Sequence, residues 1–456
     1  MEEIITPDVE KIAELFEAKK YARIREIFVE MNPVDIAALL SDFPKERAAI
    51  LFRLLPKELA AETFVEMDSE RQEHFIKSFS DSELKDIMDE IYLDDTVDIV
   101  EEMPANVVKR ILSTTDANTR AMINKILQYP DDSAGSIMTI EYVSLRKNMT
   151  VAEALTRIRR TGVDKETIYT CYVTYYNKKL LGMVTAKDLL LSEEDTEIVD
   201  IMETNLVYAH THTDKEEVSQ MFSKYDLLAL PVVDDEERLV GIVTVDDALD
   251  VMEEEATEDI EKMAAIVHVD KPYLQTSVFE TYKSRIPWLL LLMISATFTS
   301  MIITRFEDAL SVSIILSASI PMLMDTGGNC GGQASVTIIR ALSLADVEFK
   351  DLFKVIWKEF RVSLLCGASL AVVNFGKMMI LNGRDPEVTT IMIIVISLAL
   401  FCSVVIAKFI GCMLPMLAQK IGFDPAVMSS PFITTIVDAL TLLIYFNLAF
   451  LILHIA

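Results

Sequence analysis

The sequence predicts a multidomain membrane protein. Its expected parts are an all-α N-domain of helical hairpins, a tandem pair of α/β domains, a connecting helix and an α-helical membrane domain of five spans. Three observations predict it. The 456 residues carry a formal net charge of −29, and all of it lies before Ser284: residues 1–283 hold 31 Lys+Arg against 60 Asp+Glu, and the remainder holds 11 of each. Short β-branched runs recur 59 residues apart in the middle of the chain. Apolar runs fill the last third, each long enough for the roughly 20 helical residues that cross hydrocarbon. At about 150 residues per domain the chain holds about three units. So acidic a chain repels phosphate, which excludes nucleic acid as a partner, and divalent cations are its natural counter-charge. The five cysteines form no CxxC pair and read as small apolar packing residues. The start, MEEIITPDVEKIAELF, is acidic and amphipathic, which predicts no signal peptide and a cytosolic N-terminal part.

Residues 1–132 read as helices, with apolar residues at three and four spacing in VDIAALLSDF, ELAAETFVEM, ELKDIMDEI and TVDIVEEM. The first three begin near Val34, Glu58 and Glu83, and Pro33, Pro44, Pro56 and Pro104 mark the turns. This period predicts a short solenoid of hairpins.

Residues 133–199 and 200–255 change to strands mixed with helices. GMVTAKD (182–188) and GIVTVDD (241–247) are each preceded by a strand and a charged hairpin and followed by a helix. The repeat resembles a tandem pair of CBS domains, usually a ligand-sensing module. That resemblance implies that Thr185 with Asp188, or Thr244 with Asp247, holds the ribose and phosphates of an adenine nucleotide. The same pairs also suit helix caps, so both readings stand. His210 and His212 lack a Cys partner or an HExxH context and read as surface residues rather than a zinc site.

Residues 256–283 are rich in acid and then in apolar residues, unlike a Gly/Ser linker, and predict a stiff connecting helix. Residues 284–456 form the membrane domain, with spans near 286–303, 311–339, 362–381, 389–417 and 431–455. The loop over 340–361 carries Arg340, Lys350, Lys354, Lys358 and Arg361, and the opposite loops only Arg305 and Arg384. The positive-inside rule then puts the N-terminus in the cytosol and, after five spans, the C-terminus outside. MDTGGNCGGQ (324–333) in the second span holds four glycines, expected to break or thin the helix and expose carbonyls. The fifth span places Asp438 about two turns inside the hydrocarbon, where a carboxylate needs a cation. Lys377 and Lys408 are candidate partners, Lys408 the more serious.

Helical N-domain, CBS pair, connecting helix and five spans, together with P-M-L-x-x-T-G-G-N-x-G-x-Q from Pro321 and D-P-A-V-x-S-x-P-F-x-T-T-x-x-D from Asp424, resemble the MgtE family of magnesium channels over essentially the whole chain. The resemblance implies a homodimer in the plasma membrane with a pore on its two-fold axis and Asp438 as its key Mg²⁺ site. Asn329 would accept from water on the ion. Gly332 and Thr441 stand where the family has Asn and often Gly, which bears on selectivity. Mg²⁺ would also act as a regulatory ligand, closing the channel by cancelling repulsion among Asp94, Asp95, Asp98, Asp214, Glu216, Asp226, Asp246, Asp247, Asp250, Glu254, Glu255, Glu258 and Asp259, with ATP as an additional modulator. The competing reading is a proton- or Na⁺-coupled divalent cation carrier using Asp438 and Lys408 as a titrating pair. No phosphate-binding loop or catalytic constellation points to an enzyme.

Overall fold

The computed structural model describes residues 9–453 apart from 270, 272, 275, 307–312, 384 and 429. The extreme N-terminus, Arg384, Ser429 of the fifth-span motif and residues 454–456 therefore lie outside the described residues. The chain divides into one unit up to Met252 and a second from Glu253.

The first unit opens with ten described helices of eight to ten residues. Those starting at Val9, Pro33, Lys57, Asp81 and Ala105 alternate with those starting at Tyr21, Lys45, Ser69, Leu93 and Ala117, so each series repeats every 24 residues. Local chemistry sets this beat. Asn32, Asp68 and Asp116 accept from the first helical amides, Ser80 and Glu83 form a capping box, and Pro44, Pro56 and Pro104 directly precede their helices. Apolar residues face inward around Phe52, Phe64, Phe75 and Phe79, whose rings pack edge-on or stacked. Ion pairs such as Arg47–Glu17 and Lys57–Asp86, both at 2.6 Å, join successive hairpins. They are solvent-exposed, so the apolar interior holds the stack.

Each α/β repeat contains a three-stranded sheet with the same topology. Strands β1 (Tyr142–Leu145), β2 (Thr167–Thr174) and β3 (Leu180–Thr185) lie in that order, as do β4 (Ala209–His210), β5 (Ala229–Val233) and β6 (Leu239–Thr244). The first pair is parallel and the second antiparallel in both. The repeats exchange edges: Thr139, just ahead of β1, exchanges backbone bonds with Ile242 in β6, and Glu203, ahead of β4, with Met183 in β3. Gly241 and Gly182 lie under these crossings, where a Cβ would come within 2.8 Å of Thr139 O and 2.7 Å of Glu203 O. The repeated glycine is thus a packing requirement.

The helix that leaves β6 is Val245–Met263. It begins within the second repeat and ends within the stretch expected to be one connecting helix. Ala265 takes a left-handed φ of 58° and Ile266 donates to Glu261 O, which closes that helix. The next helix starts at Val278 behind a Ser277/Glu280 capping box.

Five long helices stand out among the described residues that follow: Val278–Arg305, Ile314–Ser343, Leu352–Asn382, Thr390–Lys420 and Ser430–Leu453. Among the described residues, four helices are long and apolar enough to cross a membrane. The other, Ile314–Ser343, has 30 residues but carries the polar glycine motif. Contrary to expectation, its glycines do not break it. Each glycine costs a helix about 1 kcal/mol relative to Ala, but unpaired backbone in hydrocarbon costs more, and small residues let neighbouring helices approach. A Cβ on Gly328 would meet Thr434, one on Gly331 would meet Ile433 and Val437, and one on Gly411 would run into the Gly331 carbonyl. Thr390–Lys420 is the central helix of this bundle: half of its apolar stretch is buried, against 6% for Val278–Arg305.

Gly411→Ala should therefore destabilise the folded protein by about 1–3 kcal/mol, read as a lower thermal midpoint in detergent. Gly376→Ala is the control, since a Cβ there meets nothing within 4 Å, and it should leave the midpoint unchanged or raised.

Candidate metal sites

In the first unit, helix Leu93–Glu102 presents Asp94, Asp95 and Asp98 to the CBS repeats. Asp95 and Asp98 lie within electrostatic reach of Asp247, as Glu66 does of Asp250. The β1/β2 register pairs Tyr142 with Thr167, and Glu166 N donates to Glu141 O at 2.9 Å. Two adjacent strands thus deliver two glutamates to one place. One carboxylate oxygen from each of Asp94, Glu141 and Glu166 lies within 4.8 Å of the others. Asp94 Oδ1 and Glu166 Oε2 are buried without a hydrogen-bond partner. An all-carboxylate set with orphaned oxygens suits a hard divalent cation such as Mg²⁺ or Ca²⁺.

Burial, followed by neighbouring negative charge, raises these carboxyls. Asp94 reaches about 7, Asp95 about 6 and Asp98 about 8, with Asp95 the main charged neighbour of the first and Asp247 of the other two. Burial and then Asp94 raise Glu166 to about 8. Burial raises Asp247 to about 7 against the opposing hydrogen bond from Thr244.

The other expected sensor residues are not all in this cluster. Asp214 caps helix Lys215–Tyr225 by accepting from Glu216 N at 2.9 Å, and Asp226 ends that helix in a left-handed conformation. Glu254 and Glu255 follow on Val245–Met263. Glu258 pairs with Lys262 at 2.8 Å, Lys262 with Asp424 at 2.7 Å, and Asp259 accepts from Ser343 at 3.1 Å. Asp246 and Asp250 join the cluster electrostatically. Thr185 and Asp188 form a capping box, and Thr244 donates through both its amide and its hydroxyl to the Asp247 carboxylate. Asp247 lies beside the charges of Asp94 and Asp246. His210 is exposed and His212 packs edge-on against Tyr129.

In the second unit, Asp438 lies on helix Ser430–Leu453 with its Oδ1 buried and without a hydrogen-bond partner. The expected lysine partners are engaged elsewhere. Lys408 Nζ lies 3.6 Å from Glu359 Oε2, and Lys377 donates to Met322 Sδ at 3.1 Å. The physical reason is helix extent: the third membrane helix begins at Leu352, so Glu359, expected in a cytosolic loop, sits two turns inside it. Asp325 lies within electrostatic reach of Asp438 and lines a cleft of about 520 Å³ with Thr326, Asn329 and Gln333.

The sequence reading missed Glu66, Glu141, Glu166, Asp325 and Glu359. Only for the glutamates before β1 and β2 was there a signal, since both immediately precede β-branched runs at the same end of two strands.

All five raised carboxyls hold their protons more tightly folded than in the unfolded chain, where they titrate near 4. Their protonation thus favours docking of helix Leu93–Glu102 fully below about pH 4, and that contribution is lost as pH rises through 6 to 8. In metal-free buffer, amide-exchange protection of that helix, corrected for intrinsic rates, should fall between pH 6 and pH 8.

Comparison with known proteins gives this layout a family. The MgtE intracellular N domain matches residues 31–132, CBS domains match 134–194 and 198–254, and the MgtE divalent cation transporter domain matches 320–448. The magnesium transporter MgtE of Thermus thermophilus is 38% identical over 94% of this chain and 95% of its own. That of Bacillus subtilis is 32% identical over 95% of each. Among solved structures, the cytosolic domain of the Mg²⁺ channel MgtE in complex with ATP aligns at 38% identity and a TM-score of 0.51, covering 54% of this chain and all of that one. The soluble part of a magnesium transporter aligns at 29% identity and a TM-score of 0.52, over 54% of this chain and 98% of its own. With family domains along its length and full-length relatives at this identity, the chain belongs to the MgtE family of magnesium transporters.

Proposed function

We propose that the protein is a homodimeric, plasma-membrane channel that imports Mg²⁺ passively and is closed by cytosolic Mg²⁺. The observation that carries the conduction reading is Asp438, a carboxylate inside a membrane helix with a buried oxygen that no protein donor meets. Paired across a two-fold axis, two such groups attract a divalent ion, and Asn329 on the neighbouring helix accepts from its retained water. The five long helices fit five spans with the N-terminus in the cytosol and the C-terminus outside. A proton- or Na⁺-coupled carrier built on an Asp438–Lys408 pair is disfavoured, because Lys408 faces Glu359 instead.

The gate reading rests on the carboxylates around Asp94, Asp95, Asp98, Glu141, Glu166 and Asp247. Two charges at 4 Å repel by roughly 4 kcal/mol at an effective dielectric of 20, and bound Mg²⁺ removes that cost. Residues Asp214, Glu216, Asp226, Asp250, Glu255, Glu258 and Asp259 extend the regulatory surface. A relative's cytosolic domain was solved with ATP, and Thr185 with Asp188 is the pair here that suits a phosphate, since Thr244 and Asp247 lie in negative charge. Activity is transport and not catalysis.

In proteoliposomes with only a Mg²⁺ gradient, wild type should take up Mg²⁺ and Asp438→Asn should lose at least about 90% of that flux, in line with the cost of removing a group that meets a desolvated ion. A dependence on a proton or Na⁺ gradient would replace the channel with the carrier. Replacing Asp95, Asp98 and Asp247 together by Asn should give flux that persists at high Mg²⁺ on the cytosolic face, and intact closure would refute the gate.

A further inference from the structure

Asp325, Asn329, Gln333 and Thr337 recur every four residues on helix Ile314–Ser343 and are all exposed in the protomer. They form one polar row along a face of a helix in the membrane domain. Asn329 and Gln333 line both clefts beside this row. The larger, about 870 Å³, continues past Thr337 to Glu359 and Lys408 on the third and fourth membrane helices. Lys408 and Glu359 are 7% and 12% exposed, and Glu359 Oε2 has no hydrogen-bond partner.

A pair so poorly coordinated is a weak source of stability, and apolar residues of similar size commonly do as well. Its position at the end of a polar row gives it a different use. We propose that Glu359 and Lys408 set the charge balance of the cation route along this groove, each cancelling the field of the other so that a divalent ion is neither trapped nor repelled. This rests on the reading that the groove carries ions. A fixed charge acts on a passing ion in proportion to that ion's own charge, so an unbalanced pair affects Mg²⁺ twice as strongly as a monovalent ion.

The test is Mg²⁺ uptake into proteoliposomes by Glu359→Gln, Lys408→Met and the double variant. Glu359→Gln leaves the ammonium unopposed and should raise KM by about tenfold, whereas Lys408→Met leaves the carboxylate and should lower KM and maximal rate by about tenfold each. The double variant should return KM to within about threefold of wild type, because two effects of opposite sign and similar size sum to nearly zero. KM shifts of the same sign in both singles, no shift in either, or a double variant worse than both singles would overturn the proposal. Should Glu359→Gln fail to fold, Glu359→Asp, which keeps the charge but draws it back from Lys408, should raise KM by a smaller factor, and an unchanged KM there would also overturn it. Asp438→Asn is run in parallel. Flux that survives in it defeats the ion route, whereas lost flux with unmoved KM in the pair variants defeats the pair's role alone.

Discussion

A carboxylate taken out of water needs a cation, and this chain repeatedly takes carboxylates out of water without supplying one. Asp94 and Glu166 each leave a buried oxygen without a donor between the helical stack and the CBS repeats, and Asp438 does so inside a membrane helix. Such an arrangement is costly unless a mobile positive charge completes it. In a family of magnesium transporters, the cargo itself is a hard divalent cation suited to such oxygens.

Two kinds of packing hold these groups. In the soluble unit, the 24-residue beat of the helices brings one acidic face, Asp94 to Asp98, against strands and a helix start that carry their own acids. The edge exchange between repeats makes the CBS pair a single body, so Glu141, Glu166 and Asp247 are fixed relative to each other. In the membrane unit, glycines let Ile314–Ser343 lie close against Thr390–Lys420 and Ser430–Leu453 while its opposite face stays polar. Helix Val245–Met263 carries Asp246, Asp247 and Asp250 near its start and Glu258, Asp259 and Lys262 near its end.

The domain order, hairpin period, strand–turn–helix repeat and position of Asp438 were legible because each is written in local spacing. Periodicity reports which face is buried, prolines and caps report where helices stop, and a lone acid in an apolar run is conspicuous. The glycine motif was misread for a reason equally physical. Helix propensity describes a helix in water, whereas in hydrocarbon the backbone has no alternative partner and the glycines become contact surface.

Sequence alone determined the order of the domains and the kind of elements in each, the acidic excess of the soluble part and the presence of an intramembrane carboxylate, because these follow from composition and short-range pattern. Tertiary structure decided which charges meet. That Glu141 and Glu166 join Asp94 depends on two strands lying side by side in register, and that Lys408 faces Glu359 and not Asp438 depends on where the third membrane helix begins and which neighbour it packs against. Electrostatic partnership is set by distance through space, and no spacing along the chain encodes it.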